Sequence, residues 1–80
     1  MKLYFVKRND MDYCRGEHES FIVACENENE ARKTHPDDSE KWQNYNWIEQ
    51  DQIHTLEVTC LGQASPNLKK GVVEKSLFFG

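Results

Sequence analysis

Apolar side chains fall into four short runs separated by long polar stretches, and they alternate with the two-residue period of strands. In residues 2–8, Leu3 and Phe5 alternate with Tyr4 and Val6, so both faces are apolar and the strand belongs inside a sheet. Residues 20–25 place Phe21, Val23 and Cys25 on one face and Ile22 and Ala24 on the other. The polar, turn-forming stretch 9–19 between them predicts an antiparallel hairpin with a long loop. Residues 54–61 alternate most cleanly, with Leu56, Val58 and Cys60 inward against Thr55, Glu57 and Thr59 outward. The stretch 62–67 turns the chain, Gly71 opens the last segment, and Val72–Phe79 reads as a C-terminal strand.

After Cys25 the signals change to those of a helix. Asn27 is an N-cap with Glu30 three residues on, the spacing at which each side chain satisfies an orphan amide of the first turn. Glu28 and Glu30 then lie at the positive end of the helix dipole and Arg32, Lys33 and His35 at the negative end. Pro36 ends the helix, which is predicted over 28–35. Ala31 is its one apolar contact, so it must lie on the sheet to form at all. Residues 37–53 are dense in Asn, Gln and Asp, which weaken helix interiors, and predict an irregular segment or one short helix anchored by its aromatics. The order β-β-α-(α or loop)-β-β gives an α+β fold: an antiparallel sheet of about four strands with one or two short helices on one face.

Length makes this a single domain spanning 1–80. Leu, Ile, Val and Phe supply 17 of the 80 residues, enough for a small core and too few for a large ligand cavity. A chain of this size buries only about 60% of its unfolded surface, so a disulfide, a metal or a partner subunit would help it. Cys14, Cys25 and Cys60 are odd in number and form no Cys-x-x-Cys pair, so reduced thiols are expected, with no metal and no cofactor. Met1 leads into an apolar run of only four residues, where a signal peptide needs about seven, and no segment reads as a membrane span; a complete cytoplasmic product is expected.

The net charge of −4 is unevenly spread: residues 1–8 carry +3, residues 9–57 carry −9 and residues 58–80 carry +2. An acidic middle of this size repels nucleic-acid phosphates and attracts a basic protein surface. Few residues suggest chemistry. Cys14 and His18 have a Cys-x3-His spacing, but Cys25 and Cys60 fall on predicted inward faces, where a thiol behaves as a small hydrophobe. Asp10, Asp12, Glu17 and Glu19 around Cys14 disfavour a thiolate nucleophile. The acid pairs Asp10/Asp12 and Asp37/Asp38 lack the basic partners that a magnesium-dependent phosphohydrolase presents to its substrate. Trp42, Tyr45 and Trp47 stand in an otherwise polar segment, and large amphipathic rings with charge at the rim have the composition of a protein-binding hot spot. The same rings could stack a nucleotide base.

Lys2-Leu3-Tyr4 with Val6 and Arg8, Phe21 to Ala24 running into Glu30-Ala31-Arg32, His35-Pro36, Trp47, Leu56-x-Val58, Leu61-Gly62-x-Ala64 and Gly71-Val72-Val73 before Ser76 together resemble a group of short uncharacterised bacteriophage and prophage proteins. Where that group ends in Ser-Phe-Asn-Ala-Gly, this chain has Ser76-Leu77-Phe78-Phe79-Gly80. The resemblance implies a phage accessory product acting in the bacterial cytoplasm and supplies no catalytic residues. The expected function is therefore non-enzymatic binding of a basic host protein, as in counter-defence, through Asp37, Asp38, Glu40, Trp42 and Tyr45; the alternative is a small-ligand module such as a sponge for a nucleotide signal. Neither nucleic acid nor membrane is an expected partner. The thin core and uncovered strand edges favour a homodimer, through the apolar C-terminal segment 72–79.

Overall fold

The computed structural model describes residues 1–10, 17–38, 41–43 and 46–77. Its strands are β1 (Lys2–Lys7), β2 (His18–Cys25), β3 (Glu57–Gln63) and β4 (Gly71–Leu77), with helix α1 (Glu28–Arg32) and a 3-10 helix at Gln50–Thr55 between β2 and β3. The strands form one antiparallel sheet in the order β3-β1-β2-β4. The α+β fold and the β1–β2 hairpin are as the sequence predicts. β1 and β2, apolar on both faces, take the two central positions, and β3 and β4 form the edges. No helix among the described residues is long and apolar enough to cross a membrane.

The register puts Tyr4 opposite Val23 and Cys60, and Val6 opposite Phe21 and Val58, so one face collects most of the large apolar side chains. Ala31 of α1 and Trp47, Ile48 and Leu56 of the following segment close over it, and together these form the buried core. Trp47 meets Phe21 edge to face at 5.4 Å between ring centroids, a favoured arrangement of aromatic quadrupoles. The guanidinium of Arg8 lies over the same indole at 5.8 Å. Arg8 is itself buried, bonded to both carboxylate oxygens of Asp10 at 2.9 and 2.7 Å and to Glu17 at 2.9 Å.

The end of α1 and the start of β3 differ from the sequence reading, and both are set by side chains that bond the main chain. The Asn27 side chain accepts from the Glu30 amide at 2.9 Å, and the Glu30 carboxylate accepts from the Glu26 amide at 3.2 Å, so α1 starts where expected. It ends at Arg32 rather than at residue 35. Thr34 donates its hydroxyl to the Glu30 carbonyl at 2.8 Å while its amide bonds Ala31, which tightens and closes the last turn. The third strand starts at Glu57, not at residue 54. The guanidinium of Arg32 donates to the carbonyls of Ile53, His54 and Leu56 at 3.1, 3.4 and 2.7 Å, satisfying the end of the 3-10 helix and holding the chain bent until Leu56 is buried.

The expected burial along the third strand also fails beyond Leu56. Leu56 is buried, but Val58 is half-buried and Cys60 is exposed, because β3 is an edge strand at the border of the covered face. Cys25 is buried, and burial pushes its thiol pKa up. Among the described residues no three His, Cys, Asp or Glu side chains gather as metal ligands. Cys14 lies outside the described residues, as do Phe78 and Phe79 of the expected C-terminal strand.

Trp47 fills the centre of a core with few large side chains, so Trp47→Ala should destabilise the protein by about 3–5 kcal/mol in a urea titration. Trp47→Phe, which keeps a ring against Phe21, should lose clearly less.

Candidate functional site

Three parts of the chain, β2, β4 and the segment after α1, meet at the carboxylate of Asp37. β2 begins at His18, whose amide donates to the Asn46 carbonyl at 2.9 Å, so the strand extends two residues further than its apolar run. His18 Nε2 lies 2.9 Å from Asp37 Oδ1, and because a carboxylate only accepts, the ring donates from that nitrogen. Asn46 Nδ2 donates to Oδ2 at 2.8 Å, and Lys75 Nζ donates to Oδ1 at 2.9 Å. Burial alone would raise the pKa of Asp37; the donors Asn46, Lys75 and His18 outweigh it and hold the group well below the usual carboxylate range.

Lys75 reaches this point because of a bulge. Ile22 pairs with Glu74 but Val23 pairs with Val72, so Val73 is an extra residue. Strict alternation would turn Val72 inward and Lys75 outward; the extra residue lets both Val72 and Lys75 face the covered side, opposite Val23 and Phe21.

The segment that carries Asp37 is fixed by its neighbours. His35 is buried; its Nε2 lies 2.7 Å from the Gln43 carbonyl, and its Nδ1 accepts the Asp37 amide at 3.1 Å. One nitrogen must donate and the other accept, which fixes the neutral ring with its proton on Nε2. Asp38 follows in the left-handed region at φ 56°, and its Oδ2 accepts from the Val72 amide at 3.4 Å. A Cβ at residue 71 would lie 2.7 Å from that oxygen, so Gly71, at φ +132°, is required for the approach.

The residues expected to bind a partner are therefore distributed between two environments. Asp37 is drawn into the network, and Asp38 is tied to the β4 main chain. Trp42 is half-buried, donates its indole N–H to the Ile48 carbonyl at 2.9 Å and stands edge-on to His35 at 5.2 Å. Glu40 and Tyr45 lie outside the described residues. His18, Asn46 and Lys75 were not expected here; each comes from a different part of the chain, and Lys75 depends on a bulge that periodicity does not announce.

The His18–Asp37 pair has the bonding of a histidine oriented by a carboxylate, but the 3% exposure of His18 and its buried, unbonded Nδ1 give a proton no route to a substrate. The arrangement acts as a clamp among β2, β4 and the 35–46 segment. Elsewhere, Glu49, Asp51 and Glu57 are exposed and form no ion pair among the described residues. A cleft of about 270 Å³ lies between the end of β2, Thr34, Asp38, Lys70 and Gly71.

Asp37→Asn should destabilise the protein by about 2 kcal/mol at neutral pH, the scale of hydrogen bonds to a charged group. The depressed carboxylate contributes stability that is present above its unfolded value and lost as pH falls through the folded one. The wild type and Asp37→Asn should therefore converge in urea midpoint as the pH falls below about 4. Trp42→Ala should lower the thermal midpoint, since it leaves the Ile48 carbonyl and the His35 ring without their partner.

No protein-family model, curated protein or solved structure matches the chain.

Proposed function

We propose that this is a non-enzymatic accessory protein of phage type that binds, and so inhibits or redirects, a host protein with a basic surface in the bacterial cytoplasm. One observation supports the reading: among the described residues, the acids divide into those that form ion pairs and those left in water without one. Asp10, Glu17, Glu28, Glu30 and Asp37 are paired with Arg8, Arg32, Lys70 and Lys75. Glu49, Asp51 and Glu57 run along the 3-10 helix into the first residue of β3 with no ion pair among the described residues, spaced by Gln50, Gln52 and Thr55. A row of like charges with amides between them suits a basic partner, whose encounter it would steer, and polar rims supply adaptable hydrogen bonds.

Trp42 and Trp47 support this reading over base stacking, because their rings are engaged by His35 and Phe21. A small ligand would have its place in the cleft of about 270 Å³ beside Lys70 or in that of about 310 Å³ beside Asp10 and Gln52, both at the lower limit of the roughly 300–1,000 Å³ usual for ligand sites.

The test is capture from bacteria expressing the tagged protein, with mass spectrometry of bound proteins and bound small molecules, followed by association kinetics against the captured protein. The triple variant Glu49→Gln/Asp51→Asn/Glu57→Gln should slow association at least about tenfold at low salt and flatten its salt dependence, with little change in thermal midpoint. An association rate indifferent to both salt and the triple variant, or a small molecule as the specific bound species, would overturn the proposal.

A further inference from the structure

A cleft of about 310 Å³ is lined by Asn9 and Asp10 just after β1, by Gln52 and Thr55 of the 3-10 helix, and by Ile48, whose buried side chain is its apolar part. Each of the other four carries a side-chain oxygen that can accept a hydrogen bond. A 3-10 helix turns every three residues, so Glu49, whose carbonyl accepts the Gln52 amide at 2.9 Å, falls in one row with Gln52 and Thr55. The acidic row thus begins beside the cleft. The Thr55 hydroxyl donates to the Gln52 carbonyl at 2.7 Å, which leaves its oxygen lone pairs for an outside donor. Asp10 is bonded on both oxygens by Arg8, which holds its pKa below the ordinary carboxylate value, yet its side chain stays 38% exposed. It is an anion with lone pairs to spare. Arg8 does not turn the site against a cation, because Asp10 and Glu17 together outweigh its single charge.

We infer that this cleft receives an arginine side chain of the basic partner and anchors what the acidic row steers, an inference that rests on the function proposed above. The chemistry of the lining selects the side chain. A guanidinium presents five donors in a planar fork, which suits a carboxylate, two amide oxygens and a hydroxyl gathered from two elements, and its methylene stem has Ile48 to cover it. A lysine ammonium is a point charge with three donors and fills fewer of these acceptors. A neutral side chain gains nothing from Asp10 and Glu49. Arginine held in a pocket is also a common energetic centre of protein interfaces. The cleft beside Lys70 is less suited to any charged group, because its ammonium is paired with Glu30 at 3.0 Å and its Asp38 carboxylate accepts from the Val72 amide. Steering and anchoring separate in kinetics: long-range charge governs association, and a filled pocket governs dissociation.

The probe is N-acetyl-arginine amide, followed by nuclear magnetic resonance of the isotope-labelled protein. At millimolar concentration and low salt it should shift the signals of Asn9, Ile48, Gln52 and Thr55, while those of Lys70 and Gly71 at the other cleft stay in place. The citrulline counterpart, which keeps the shape and loses the charge, should bind at least about tenfold more weakly, and the lysine counterpart clearly more weakly. Gln52→Lys, which sets an ammonium at the cleft from an exposed position, should weaken the probe at least about tenfold with an unchanged far-ultraviolet spectrum. Asn9→Lys serves the same end if that variant does not fold. Against a captured basic protein, Gln52→Lys should raise the dissociation rate at least about tenfold. Probe binding with no captured basic protein would support the cleft and count against the broader function. A captured protein that leaves Gln52→Lys no faster than the wild type would overturn the cleft and leave that function standing. Absent shifts, equal binding of arginine and either counterpart, or full binding to the lysine variants would each overturn the inference.

Discussion

The carboxylate of Asp37 joins parts of this chain that lie far apart in sequence. It receives His18 from β2, Lys75 from β4 and Asn46 from the irregular segment. A carboxylate partly withdrawn from water is destabilised unless its oxygens are bonded, and here three donors bond them. The dependence is mutual, since without Asp37 three donors would face one another at the rim of the core. β4 is an edge strand: its ladder partner is β2, Val72 packs against the core, and side chains tie it further through Asp37 to Lys75 and Asp38 to the Val72 amide. The chain order makes this necessary, because β4 arrives last in sequence and must be fastened at an edge.

The same device recurs wherever apolar area runs short. Arg8 is buried against Trp47 and neutralised by Asp10 and Glu17, and Arg32 crosses from α1 to the carbonyls that precede β3 while Glu28 holds its other edge. Each guanidinium brings a planar fork of donors to groups that would otherwise stay unsatisfied, and its stem adds apolar contact. A five-residue helix with one buried side chain, Ala31, cannot be held by hydrophobic area alone. Small domains commonly recruit disulfides or metals for this purpose. In the described residues of this chain, the half-buried Arg8 ion pairs, the Asp37 network and arginine-to-carbonyl bonds carry that role.

What the sequence shows and what it conceals divide by range. Local periodicity places β1 and β2 and the faces of Phe21, Val23 and Cys25, and the Asn27–Glu30 spacing locates the start of α1, because both signals operate within a few residues. The end of α1 and the start of β3 are displaced by Arg32 and Thr34, whose partners are carbonyls, and no pattern of side chains announces a carbonyl acceptor twenty residues away. Alternation through Val58 and Cys60 is real, yet alternation reports which face a residue takes and not whether anything covers that face. The pair Asp37-Asp38 stands out as charge in a polar segment, and nothing local distinguishes a solvated acid from one whose three donors arrive from β2, β4 and Asn46. A bulge at Val73 moves Lys75 to the covered side, and one extra residue reverses a reading built on a period of two.

The two edges of the sheet are treated differently by that same loop. Asp37 and Asp38 can reach β4 because the connection from α1 passes over β2 toward it before returning across the sheet to β3; Asp38 adopts φ 56° and Gly71 gives up a side chain so that one carboxylate can occupy the Val72 amide. The segment then spends its remaining length on the 3-10 helix and enters β3 with its acids still in water. One edge is thus closed by the acids of the loop, and the other is reached only after those acids have been used or left behind. The β4 border is tied by the loop's side chains, whereas β3 begins at Glu57, the last of the exposed acids Glu49, Asp51 and Glu57 that form no ion pair among the described residues.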